Sequence, residues 1–508
     1  MNHSKYIKIT LVFTIGLGLL SCEPEFVNEV RDGVQYTSGD ADFTTFVALG
    51  NSLTAGFADG ALYIDGQQNS LPNIMADQFS LVDGGVFDQP LMADNLGGLK
   101  VGGTQVSDNR LVLRLNPDGT PQGPVILEGD PTTEATNILT GPFNNMGVPG
   151  AKSFHLVADG YGTLNPYFGR FASSATASVL DDALAQDPTF FMLWIGNNDA
   201  LGYATSGGDL ALDELTPETT FKAAYDAVAG ALAQATEGKG VVANLPDVTS
   251  IPYFTTVPFA PLSPLDPNFG PQIPTLNATF AELNGAFAFL GVPERSIQFS
   301  ETGASAVVIK DESLPDISTA LTQTLQVGGL DATTAAVFGM LYGQTRQATA
   351  DDLMVLPSSR VIGQANTDTI QQLISLGLPQ ATAEQLSING VTFPLEDKWV
   401  LLPSEQEEVA SAHAFYNQVI ADAANGLDLA FVDARALLSQ VANGGIAIDE
   451  GVVTSTFASG GAFSLDGVHP TARGYALTAN AFIDAINQKY DATIPKVNPG
   501  TFTTIFVE

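Results

Sequence analysis

Four short apolar runs punctuate the chain, each bounded by turn-forming or polar residues. They are Phe46-Val47-Ala48-Leu49, closed by Gly50, then Phe190 to Ile195, Gly240 to Leu245, and Leu429 to Val432. Continuous apolar stretches of this length fit strands covered on both faces better than half-exposed strands, which would alternate. The last three follow segments with helical spacing. Val179 to Ala185 precedes the first of these. Thr216 to Ala235 precedes the next, with Thr216 as N-cap, Pro217 at the first helical position, and Phe221, Tyr225, Val228 and Leu232 on one face. Before the last, Ser404 and Glu407 have capping-box spacing, Val409, Ala412, Tyr416, Val419 and Ala423 share a face, and Gly426 is the expected stop. A final helix is expected from Thr471 to about Tyr490. Helices alternating with buried strands predict an α/β fold with a parallel sheet and helices on both faces.

Two stretches break this rhythm. Residues 81–142 are rich in Gly, Asp and Pro, with strand-like pieces such as Arg110 to Leu115, and residues 253–400 mix Pro-rich loop with short helical pieces. Both are expected as insertions into one domain spanning 43–490, with 491–508 as a C-terminal extension. An excursion as long as the second is expected to act as a lid or a substrate-shaping wall.

The N-terminus reads as an export signal over 1–21. Lys5 and Lys8 precede an apolar run from Ile9 to Leu20, too short for a comfortable membrane span. Leu19-Leu20-Ser21-Cys22 resembles a bacterial lipobox. That resemblance implies cleavage before Cys22, acylation of Cys22 and a lipid anchor in the outer membrane of a bacterial cell envelope. Residues 22–42, polar and acidic, are expected as a tether.

Composition narrows the chemistry. The 55 acidic residues outweigh 19 basic ones for a formal charge of −36, so nucleic-acid phosphate would be repelled, and no basic patch with interleaved aromatics offsets this. Cys22 is the only cysteine, which excludes an intramolecular disulfide and a cysteine-based zinc site. No calcium-loop spacing, phosphate loop or dinucleotide fingerprint occurs, so neither metal nor cofactor is expected. Only four histidines are present, His3, His155, His413 and His469, so any mechanism that needs an imidazole has few to choose from. His155 and His413, the latter inside a helix, are expected to be structural.

Three segments can be joined into one site. Gly50-Asn51-Ser52-Leu53 follows the first strand, where a serine flanked by small residues can expose its hydroxyl. Gly196-Asn197-Asn198-Asp199 ends the second apolar run and can aim an amide at developing negative charge. Asp466-Gly467-Val468-His469 supplies a carboxylate three residues before an imidazole. Asp466 can then hold Nδ1 while Nε2 takes a serine proton. The Gly-x-Ser-x-Gly elbow of the larger α/β-hydrolases is absent.

Together with Asn145-Met146-Gly147-Val148-Pro149-Gly150-Ala151, these segments resemble the four ordered blocks of the GDSL, or SGNH, hydrolase family. The resemblance implies a three-layer, flavodoxin-like α/β fold with a five-stranded parallel core and two large insertions. It implies an esterase or lipase that works through an acyl-enzyme. Ser52 would be the nucleophile, His469 the general base, and Asp466 its orienting partner. The oxyanion hole would be the backbone N–H groups of Ser52 and Gly150 with the side chain of Asn198. Gly147 is the other glycine of its block, and the extended approach through Val148-Pro149 favours Gly150. Asn51 stands where the family carries aspartate, and a rearranged local hydrogen bond is expected. The substrate would be a lipid or an acylated glycan. A polysaccharide acetyl esterase, and a non-catalytic lipoprotein that binds glycans or a partner, are the alternative readings.

Overall fold

A computed structural model describes residues 36–507. The signal segment and Cys22 lie outside the described residues. Five parallel strands form the central sheet: β1 (Phe46–Gly50), β2 (Asn145–Gly147), β3 (Phe190–Trp194), β4 (Gly240–Ala243) and β5 (Ala430–Val432). Their order is β5-β4-β3-β1-β2. The order reverses at β1, which pairs Ala48 with Asn145 on one side and with Met192 on the other. In open parallel sheets such a reversal opens a crevice beyond the carboxyl ends of the strands.

Alternate residues of each strand feed two cores, which explains why the runs are apolar throughout. Val47, Leu49, Met146, Phe191, Leu193 and Val242 face one layer. That layer comprises α3 (Val179–Leu184), α5 (Glu218–Ala235) and α6 (Pro403–Gly426), and Phe221 stacks on Tyr416 with ring centroids 4.1 Å apart. Phe46, Ala48, Phe190, Met192, Trp194 and Val241 face α2 (Leu71–Phe79) and α8 (Ala472–Tyr490). Helices α1 (Ser52–Ala55) and α4 (Asn198–Thr205) begin just past the ends of β1 and β3, and α7 (Ala434–Ala442) follows β5.

Local chemistry moved two helix starts. Helix α5 begins at Glu218 with Pro217 as its cap, one residue later than expected. Helix α6 begins at Pro403, one residue before Ser404, because proline needs no N–H there and its fixed φ suits the first turn. Glu405, not Glu407, is therefore three residues past the cap, and its Oε2 accepts the Leu402 N–H at 2.7 Å.

The ends of the chain belong to the fold more than expected. Asp40 N–H donates to Tyr490 O at 2.7 Å and Ala41 is buried, so the last part of the expected tether is docked. In the C-terminal extension Ala492 and Ile494 are buried, and Phe506 lies under the Arg110 guanidinium at 4.1 Å. Residues 81–142 contain the hairpin Leu111–Leu115 with Pro121–Ile126. The 253–400 segment carries a hydrophobic core of its own, centred on Phe280, Phe287, Leu321, Tyr342 and Leu395. Among the described residues no helix is long and apolar enough to cross a membrane.

Candidate active site

Three strand ends and one C-terminal loop converge on Ser52. The serine is the first residue of α1, two residues beyond β1, and is 6% exposed. Asn51 caps this helix through Oδ1, which accepts the Leu53 N–H at 3.0 Å. Its Nδ2 is buried without a partner among the described residues, so asparagine here keeps the cap bond and leaves one amide group open. Gly147 lets α1 lie against β2, since a Cβ there would come within 2.4 Å of Ala55 N. The Asn145 Nδ2 ties the two together by donating to Thr54 O at 3.1 Å.

The structure brings the three residues of the expected triad into one hydrogen-bonded line. His469 Nε2 lies 2.9 Å from Ser52 Oγ, and His469 Nδ1 lies 2.9 Å from Asp466 Oδ2. A carboxylate can only accept, so the ring proton belongs on Nδ1 and leaves Nε2 to receive the serine proton. Asp466 is itself held by several donors. Its Oδ1 accepts the backbone N–H groups of Val468 and His469, both at 2.8 Å, and its Oδ2 accepts that of Gly60 at 2.9 Å. Burial pushes the carboxyl up, but the His469 ring and these backbone donors outweigh it and hold the group down to about 2.

Supports from distant parts of the chain fix this loop. Asp59 Oδ1 accepts the Leu465 N–H at 3.0 Å and its Oδ2 accepts the Tyr63 hydroxyl at 2.8 Å, while burial raises its own carboxyl to about 6. The Phe57 ring lies 4.7 Å from the His469 ring. Gly467 adopts φ +73°, and the Tyr253 N–H donates to its carbonyl at 2.9 Å. Apart from the Tyr63–Asp59 bond, these supports have no local sequence signal, because their partners are hundreds of residues away.

The groups expected as oxyanion donors differ in how free their N–H groups are. The Ser52 amide opens a helix, where no intrahelical acceptor exists. Gly147 and Gly150 differ in what their amides do. The Gly147 N–H donates to Asn145 Oδ1 at 3.0 Å, whereas Gly150, at φ +80°, is solvent-exposed and its N–H has no acceptor among the described residues. Asn198 Nδ2 donates one hydrogen to Ala151 O at 2.9 Å, which orients the amide and leaves its second hydrogen available. Asp199 anchors the same neighbourhood by accepting from Ser153 N at 2.8 Å and Ser153 Oγ at 2.6 Å.

A pocket, partly open to solvent, lies against this arrangement. Its walls include Ser52, His469, Asn197, Asn198, Val248 and His413; Gly150 is outside them. His155 is remote from the pocket lining: its Nδ1 accepts the Lys152 N–H at 3.0 Å and its ring stacks on Tyr161. His413, expected to be structural, does lie on α6, yet it lines the pocket. No residue of 253–400 lines it. That segment braces the site from behind: Leu356 and Tyr253 lie against Gly467, and Phe254 and Val355 pack in one cluster with the pocket-wall residues Val248 and Ile251. A further grouping went unnoticed in the sequence. Glu312, Asp397 and Glu405 bring carboxylate oxygens within 4.8 Å of one another, and burial with mutual repulsion raises Asp397 and Glu405.

Comparison with family models, with curated proteins and with solved structures returns no match to this chain.

Proposed function

We propose that the protein is a serine esterase of SGNH type, with a three-layer, flavodoxin-like fold. The observation that carries the reading is the line of hydrogen bonds from Ser52 Oγ through His469 to Asp466. Ser52 Oγ would attack the ester carbonyl carbon as its proton passes to His469 Nε2. The oxyanion would be received by the amides of Ser52 and Gly150 and by Asn198 Nδ2. Collapse would release the alcohol, protonated by His469, and leave an acyl group on Ser52. Water would then enter by the reverse steps and free the acid. With a lipid anchor on Cys22, this chemistry would act at a bacterial outer membrane.

The acyl side has a candidate path. An apolar groove lined by Leu53, Trp194, Ile251, Leu438, Phe463 and Val468 adjoins the pocket and shares Leu53, Ile251 and Val468 with it. An aliphatic chain suits such walls, which favours the esterase or lipase reading over one confined to acetyl groups. The test is hydrolysis of nitrophenyl esters from acetyl to palmitoyl by the wild type and by Ser52→Ala. Hydrolysis should be lost in the variant. Absence of Ser52-dependent turnover with every ester would sink the enzyme reading and leave a binding lipoprotein in its place.

A further inference from the structure

The pocket beside Ser52 contains polar atoms that the esterase mechanism does not use. His413 is 7% exposed, and its Nε2 is buried with no hydrogen-bond partner among the described residues. Asn197 Nδ2, at the N-cap of α4, is likewise buried and unpartnered among the described residues. Both residues line the pocket that holds Ser52 and His469. A buried polar atom without a partner is costly, and structures rarely keep one unless something outside the chain satisfies it.

The character of that outside group follows from the walls. Besides Ser52 and His469, the pocket is lined by amides, His413 and apolar side chains, and no lysine, arginine or carboxylate is among them. Burial pushes His413 down to about 4, with Asp247 and Arg435 the charged groups that act on it in opposite senses. The imidazole therefore stays neutral at ordinary pH, and an anionic ligand would find no countercharge. A neutral imidazole nitrogen and an amide N–H₂ together match hydroxyl groups, which both donate and accept. The oxyanion donors already take the ester carbonyl, and the apolar groove suits the acyl chain. The alcohol half of the substrate is what remains.

We propose that Asn197 and His413 form a subsite for a free hydroxyl on the alcohol side of the ester, so that the substrate is an acylated polyol, either a sugar or glycerol. This rests on the esterase reading above and deepens it. A site built to hydrogen-bond a hydroxyl discriminates against an isostere that lacks it, because the buried groups are then left unpaired.

The experiment compares 1-acetylglycerol with propyl acetate, which share the acyl group and differ in hydroxyls, and adds a monoacetylated methyl glucoside. Wild-type kcat/KM should favour a hydroxylated ester over propyl acetate by on the order of 10- to 100-fold. The larger ratio of glycerol or glucoside ester identifies the source of the polyol. His413→Phe and Asn197→Ala should each bring the ratio towards one, and His413→Asn, which supplies an amide in place of the imidazole, should restore part of it. A merely structural role would lower all rates together and leave the ratio unmoved. If His413→Phe does not fold, Asn197→Ala decides. Ser52-dependent hydrolysis with equal rates on all three esters would overturn the subsite and leave the esterase standing. No Ser52-dependent turnover of these or the nitrophenyl esters would overturn both.

Discussion

Replacing Asp466 by asparagine is the sharpest probe of the site, because the side chain keeps its size and loses only its capacity to accept everywhere. If the amide oxygen stays on the N–H groups of Val468 and His469, the N–H₂ falls where Oδ2 was. It then faces two donors, the Gly60 N–H and His469 Nδ1–H, both now 2.9 Å from that position. His469 can relieve the conflict only by moving its proton to Nε2. That is the wrong tautomer, since Nε2–H cannot take the proton of Ser52 Oγ. The same exchange in a serine protease triad lowers kcat by about 10⁴-fold, or roughly 5 kcal/mol, and a loss of that order is expected here. The Gly60 N–H stays opposed to a donor, and a buried unmade bond of that kind costs about 1–3 kcal/mol of stability.

Two measurements follow. The first is kcat and KM on nitrophenyl acetate; kcat should carry the loss. The second is unfolding as a function of pH. A carboxyl held down to about 2 in the folded chain, against 3.8 for the free side chain, contributes stability that is fully present above the unfolded value. That contribution, on the order of 2 kcal/mol, is lost as pH falls through the folded value. The stability gap between wild type and Asp466→Asn should therefore narrow from pH 7 to pH 2. A variant within tenfold of wild-type kcat, or a gap that does not change with pH, would refute the assignment of Asp466 as the group that orients His469.

The remaining expectations are more local. Asn198→Ala should lower kcat by about 10²–10³-fold on every ester alike, because it removes one oxyanion donor, and a loss confined to KM would count against that role. Asp397→Asn should raise the melting temperature at pH 8–9 by on the order of a few degrees and hardly at all at pH 4. The sign follows from a carboxyl that is raised in the folded chain, which makes folding bind protons, so stability falls as pH climbs from the unfolded value through the folded one. An equal shift at both pH values in a thermal melt would argue against repulsion within the Glu312, Asp397 and Glu405 cluster.

What could be read from the sequence was whatever depends on neighbours along the chain. The apolar runs at Phe46, Phe190, Gly240 and Leu429 gave four of the five strands, since a strand buried on both faces needs no partner to be recognised. The fifth, Asn145–Gly147, has no such run and is visible only through its glycine block. The residues Ser52, Asp466 and His469 were legible because a serine after a strand, and a carboxylate three residues before a histidine, are local arrangements. Their meeting was not, and the supports that make it happen, Gly60 on Asp466 and Asp59 on Leu465, span 406 residues.

His413 shows where such reading stops. It is four residues after Val409 and three before Tyr416, on the buried stripe of α6, so its spacing is that of an inward-facing position. Periodicity states which side of a helix turns inward; it does not state what waits there. Most of that stripe meets the apolar sheet face, where an imidazole would be a poor fit. At His413 the helix passes the crevice beyond the strand ends, beside the turn that begins at Pro246, and the inward side faces a pocket. The same buried position is thus core for Tyr416 and pocket wall for His413. What separates them is whether the ring finds a partner: the Tyr416 hydroxyl is taken by the Thr216 carbonyl, while His413 Nε2 has none among the described residues.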